Sequence, residues 1–272
     1  MIGLLSLACF SFFMTEKTTK VFENVDNIMI QIKENCSKYS VLSVDAIIDG
    51  DTIIPGMYGK VVDIKKSYKK MKKYGVYNDN MYVYKSVKPN ISLSDNMDKY
   101  IIKGNKSKRS VSLIFIVNDD VFDVIDILNK YNVKGTFFID DIWFGDNNDL
   151  VMDLINNGHI IGNLSHDLDY SDSSFGWMDT IIKSLSNQKQ GYCYYTNDKN
   201  NIDYCKNYKN YTIKPIEINK NPLFEVKSYL DNGVMFAFNI NSRVIKELDS
   251  IIGFINSKGY DIVNIKDLLS EK

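Results

Sequence analysis

From Val111 onward the chain alternates short apolar runs with stretches of helical spacing, and few architectures accept that rhythm. Residues 111–117 (VSLIFIV) are apolar except for one serine and end at Asn118-Asp119-Asp120. Such a run suits a strand buried on both faces. Val121, Val124, Ile125, Ile127, Leu128 and Tyr131 then recur at helical intervals, 136–139 reads as the next strand, and 149–157 as a helix stopped at Gly158. A third strand is expected at 159–162. The alternation continues with helices near 177–186, 202–207, 223–231 and 243–258, and with strands at 191–195, 212–217, 234–238 and 260–265. Strand–helix units of about 25–30 residues call for right-handed crossovers and a parallel sheet. Seven such strands predict an α/β fold, an incomplete or distorted (β/α)7-8 barrel over residues 110–272.

Upstream the pattern differs. Residues 21–104 are expected to be a stalk and a small N-terminal domain, α/β or β-rich. Within it, 41–48 reads as a strand, Asp49-Gly50 as a turn and 52–54 as the return strand, with a loop at Pro55-Gly56. A lysine-rich helix over 63–74 is capped by Gly75, further short strands fall at 82–84 and 100–102, and 103–109 reads as a linker. Lysines 65, 66, 69, 70, 72 and 73 spread around that helix with no aromatic interleaving, so a solvated face is favoured over an anionic-polymer patch. The 13 apolar residues 2–14 are short for a membrane span. Residues 1–20 therefore read as a signal peptide or truncated membrane anchor, with an N-terminal core helix as the alternative. The expected location is extracytoplasmic, secreted or anchored at the cell surface, with membrane contact through the N-terminus.

Thirty-three basic against 34 acidic side chains leave a net charge of -1, which gives no footing for nucleic acid, so a partner must be sought in a site. Four cysteines do not make a disulfide scaffold and show no tight metal spacing. In an exported chain Cys193 and Cys205 either close a small loop or stay two separately buried thiols.

Three stretches point to a family: 133–139 (VKGTFFI), 158–168 (GHIIGNLSHDL) and 257–269 (SKGYDIVNIKDLL). In this order and spacing they resemble framework motifs of the polysaccharide deacetylase (NodB-homology) family. The resemblance implies hydrolysis of N-acetyl groups on chitin-like or peptidoglycan sugars. It also implies zinc held by one Asp and two His, a neighbouring Asp as base and a later His as acid. Carried onto this chain, the base position is Asn118, the metal carboxylate Asp119, and the two histidine positions are Leu164 and Leu168. An amide is no general base near neutral pH, and leucine coordinates no cation. The third motif falls near Tyr192–Tyr195 without its Arg, and the last near Phe236–Asn239 without its His.

A degenerate, catalytically inactive member associated with glycan or a cell-wall polymer is thus expected, without a cofactor. Tyr192, Tyr194, Tyr195, Phe236, Phe238 and Asn239 either line a ligand cleft at the strand ends or, for the aromatics, fill the lost metal pocket. The competing readings are an active N-deacetylase whose zinc site has moved to Asp119, His166 and Asp167 or Asp169, and a purely structural surface protein. His159, a framework position of the family motif, reads as a satisfied buried histidine. Asp119-Asp120 after a strand also resembles the acidic pocket of a receiver domain, but the leader and the number of later strand–helix units count against it.

Overall fold

A computed structural model describes residues 26–117, 121–166 and 168–272, and divides them into two compact units. In chain order the first elements are α1 (Asn27–Asn35), β1 (Ile47–Asp49), β2 (Thr52–Ile54), β3 (Gly59–Val62), α2 (Ile64–Tyr74), β4 (Tyr84–Val87) and β5 (Tyr100–Ile101). Then follow β6 (Ser110–Ile116), α3 (Phe122–Lys130), β7 (Thr136–Ile139), α4 (Asp141–Asp146), α5 (Asn148–Asn156), β8 (Ile160–Asn163), α6 (Trp177–Ser186) and β9 (Tyr192–Tyr194). The chain closes with α7 (Lys199–Asn207), β10 (Tyr211–Ile213), β11 (Ile216–Ile218), α8 (Pro222–Tyr229), β12 (Met235–Asn239), α9 (Ser242–Ser257), β13 (Asp261–Ile262) and α10 (Ile265–Leu269). No helix of the described residues is long and apolar enough to cross a membrane. The predicted leader, 1–20, lies outside the described residues.

The smaller unit comprises 26–44 and 58–89. Helices α1 and α2 share a core with β3, antiparallel to β4, through Ile28, Ile32, Val62, Met71 and Tyr82. Asp26 caps α1 by accepting from Ile28 N at 2.9 Å, and Asp63 caps α2 by accepting from Lys66 N at 3.0 Å. Gly75 ends α2 at φ +69°, a conformation costly to any residue with a Cβ.

The larger unit comprises 45–57 and 90–272. Its strands follow one path, β1-β2-β5-β10-β9-β8-β7-β6-β12-β11, with β13 paired to β6 beside it; only β1–β2 is antiparallel. Chain geometry curls this sheet. Only Lys214 and Pro215 separate β10, which pairs with β9, from β11, which pairs with β12 on the other flank. Three Cα steps span at most about 11 Å, so the flanks must meet in a distorted barrel. The predicted strand 212–217 breaks at this point because Pro215 has no N–H to give a ladder.

Alternation sorts the side chains. Phe115, Phe137, Phe236 and Phe238 face the helices in the outer core, where Phe115 stacks on Phe137 and Phe238 at 5.3 and 5.8 Å. Each buried phenyl contributes roughly 1.5–3 kcal/mol. Ile114, Phe138, Tyr192, Tyr194, Met235 and Ala237 face inward, where Ile265, Leu268 and Leu269 of α10 join them. Cys193, between the two inward tyrosines, faces out and forms a disulfide with Cys205 of α7.

The division of the chain differs from the one expected. Residues 45–57 and 90–104 belong with the barrel, because β5 adds parallel to β10 and β2 adds parallel to β5. The expected strand 41–48 is ordered as β1 only over 47–49, with Val41 in a lone bridge to Lys60. The stretch 103–109 is no linker: Gly104 N donates to Gly233 O at 2.7 Å, and the buried Asn105 donates to Gly56 O at 2.7 Å.

Candidate functional site

The stretch 158–168 is built as a frame. Gly158, at φ +85°, turns the chain out of α5 into β8. His159, 2% exposed, accepts from Gly135 N through Nδ1 at 3.0 Å, while its Nε2 finds no protein partner among the described residues. It is therefore buried and only half satisfied. Gly162 leaves room for Phe138, whose ring would lie 2.4 Å from any added Cβ. Asn163 then locks the loop that follows, accepting from Ser165 N at 2.7 Å and donating to Phe175 O at 3.1 Å. Tyr170 ties that loop to β9: its hydroxyl donates to Tyr194 O and accepts from Tyr194 N, both at 3.1 Å. The loop carries Leu164, buried, and Leu168, 43% exposed and held at φ +64°.

Both leucines line a cavity of about 300 Å³ with Ile116, Val117, Asp140, Tyr194, Glu217, Ala237 and Asn239. Most of these residues sit at or just past the C-terminal ends of β6, β7, β8, β9 and β12, with Glu217 and Ala237 inside β11 and β12 and Leu168 on the loop after β8. That is the end at which (β/α) barrels place their chemistry. The Tyr194 hydroxyl donates to Glu217 Oε1 at 3.1 Å. Burial first, then the Glu217 carboxylate, pushes the Tyr194 phenol well above its usual range, so it remains a donor at neutral pH. Asp140 caps α4 by accepting from Trp143 N at 2.7 Å. The lining therefore offers carboxylate oxygens, an amide and a phenol on otherwise apolar walls, which suits a neutral polar ligand with an apolar body.

The sequence-predicted site residues separate. Tyr194 and Asn239 are brought together in the cavity; Tyr192, Tyr195 and Phe238 are not among its lining. Tyr192 packs in the barrel interior, and Tyr195 stacks on Tyr100 at 4.2 Å. Phe236 and Phe238 fall on the helix side, because β12 alternates and Ala237 and Asn239 take the inward positions. Asn118, Asp119 and Asp167 lie outside the described residues. His166 and Asp169 form a backbone bridge, and His166 Nδ1 meets Asp141 Oδ1 at 2.9 Å; neither His166 nor Asp169 lines the cavity. Among the described residues no three His, Cys, Asp or Glu side chains gather as a metal site. Among the described residues the lining does not fit zinc: Leu164 and Leu168 offer no donor atom, Glu217 is bonded to a phenol, and Asp140 is engaged in a helix cap.

Glu217 and Asp140 were not expected from the sequence. Each had a signal. Glu217 is the one charge between Ile216 and Ile218, so alternation sends it to the face opposite the isoleucines. Asp140 directly follows the apolar strand 136–139.

The described residues thus form a curled parallel barrel with a polar cavity at its strand C-terminal side and a Gly-His…Gly-Asn frame beside it. The polysaccharide deacetylase family model matches residues 103–215. That match covers less than half of the 272 residues and supports a degenerate NodB-homology domain there. A curated relative, the uncharacterized protein YlxY of Bacillus subtilis (strain 168), is 26% identical over 293 residues, covering 95% of this chain and 88% of its own. In fold the chain is similar to wild-type BA3943 of Bacillus anthracis, described as a CE4 family pseudoenzyme. That likeness has 23% identity and a TM-score of 0.67, covering 91% of this chain and 96% of that one. It is also similar to Bacillus subtilis PdaA, a family 4 carbohydrate esterase, at 20% identity, TM-score 0.54, and 65% and 86% coverage.

Proposed function

We propose that this protein is an exported, surface-held polysaccharide deacetylase-like domain that binds N-acetylated glycan, of peptidoglycan or chitin-like type, without deacetylating it. One observation carries the reading: Leu164 and Leu168, which stand where the resemblance implies metal-binding histidines, line the cavity. Apolar side chains there supply contact area for a sugar ring, while Tyr194, Glu217 and Asn239 supply hydrogen bonds at its edge. The description of BA3943 as a pseudoenzyme, and of PdaA as a carbohydrate esterase, supports a glycan ligand and a silent site in the same fold.

The test has three measurements on purified protein: bound zinc, acetate release from acetylated glucosamine oligomers, and calorimetric binding of those oligomers. The expected result is no stoichiometric zinc, no acetate, and binding weakened about 10-fold by Glu217→Gln, the loss of one charge-assisted hydrogen bond. Stoichiometric zinc with turnover abolished by Asp119→Ala would establish a working hydrolase instead. Absence of binding would leave a structural surface protein.

A further inference from the structure

Helix α2 carries Lys65, Lys66, Lys69, Lys70, Lys72 and Lys73 and no acidic residue, and all six are exposed. At about 100° per residue they fall within an arc of about 160°. Ser67 and Met71, the buried positions, lie opposite. The lysines therefore do not spread around the helix; they form one basic face. Lys72 pairs with Asp26, and Lys66 lies 3.8 Å from Asp63. Lys65, Lys69, Lys70 and Lys73 pair with no carboxylate among the described residues. The charge is local. Residues 26–44 and 58–89 contain eleven lysines against four carboxylates, whereas the whole chain has a net charge of -1. Lysines at i,i+4, here 65/69, 66/70 and 69/73, weaken a helix by mutual repulsion. Solubility does not require six in two turns and a half.

The chain that enters this unit comes from the apolar residues 2–14. Asp26 receives it, capping α1 and pairing with Lys72 on the basic face. The eleven residues 15–25 reach at most about 40 Å, so a surface engaged by residues 2–14 lies within range of α2. We propose that the lysine face of α2 docks on the anionic phospholipid headgroups of a bilayer, as the second of two membrane signals beside the apolar N-terminal stretch. A short apolar element binds membranes marginally and reversibly; a polybasic patch makes the attachment stable. The occupant is a bilayer rather than a soluble polyanion because the apolar stretch offers nothing to the latter. This inference is independent of the glycan reading.

The full chain is partitioned onto phosphatidylcholine vesicles and onto vesicles containing 30% phosphatidylglycerol in 0.1 M salt. The expected preference for the anionic vesicles is on the order of 600-fold, from about 5-fold for each of the four unpaired lysines. It is erased in K65Q/K69Q/K70Q/K73Q, kept in the corresponding arginine variant, and collapsed for the native chain by 0.5 M salt. Equal partition onto both vesicles, or a preference that survives the glutamine variant, overturns the proposal. So does tighter binding per phosphate to soluble polyphosphate than to the anionic vesicles, which assigns the face to a polymer.

Discussion

Acid loads this fold through His159. The imidazole is buried at 2% exposure against Phe137, edge to face at 5.3 Å, with Nδ1 occupied as an acceptor, so the neutral ring carries its proton on Nε2. Burial first, and then the nearby Lys134 charge, depresses its pKa from 6.5 to about 4. The unfolded chain takes up a proton near pH 6.5, the folded one only near 4, so the stability tied to neutral His159 is whole above 6.5 and is lost as the pH falls toward 4. The loss is about 2 kcal/mol by pH 5 and about 3 kcal/mol by pH 4. Urea unfolding of the native chain and of His159→Asn at pH 7.5, 6.0, 5.0 and 4.0 isolates it. Asparagine can accept from Gly135 N but does not titrate, so the carboxylates shared by both proteins cancel in the difference. The gap between the two stabilities should be flat near pH 7.5 and shift by about 2 kcal/mol in the variant's favour by pH 5. Parallel curves across the range would refute the argument.

Two further predictions concern the frame around the cavity. Gly162→Ala should destabilise by about 2 kcal/mol in urea titrations, since the new Cβ meets the fully buried Phe138 ring. That ring packs edge to face on Tyr194 at 5.6 Å, so the same change should weaken oligomer binding; an unchanged affinity would separate frame from cavity. Leu168→Asn should raise stability by about 0.5–1 kcal/mol, because asparagine tolerates φ +64° and the exposed leucine side chain loses little packing. A net loss would mean that Leu168 contributes more as cavity wall than it costs in backbone strain.

The parts of this molecule legible from sequence are those written in local periodicity. The runs 111–117 and 136–139 emerge as β6 and β7, and the helical spacing from 121 to 131 as α3, because side-chain period alone distinguishes strand from helix. What escaped was set by pairing across distance. Nothing near Tyr100 or Thr52 announces that β5 and β2 will extend the barrel through β10, since parallel registry between residues distant in the chain leaves no local mark. The lysines of α2 are exposed, as a solvated face requires, but they do not spread around the helix: angular arithmetic gathers them in one arc opposite the buried Ser67 and Met71.

The site divides along the same line, with one instructive exception. That β9 and β12 end at the cavity was visible, but a strand end delivers only every second side chain, and two-residue alternation excludes Phe238 while admitting Ala237 and Asn239. The same rule, applied to Ile216-Glu217-Ile218, would have found the carboxylate that bonds Tyr194. The leucines explain how such a site persists. Gly158 is required by its positive φ, Gly162 by the Phe138 ring, and Asn163 by the loop it anchors; none of these constraints involves a metal. The frame that carries positions 164 and 168 to the cavity is thus set by backbone conformation and packing, and leucine at both positions leaves what shapes the cavity in place.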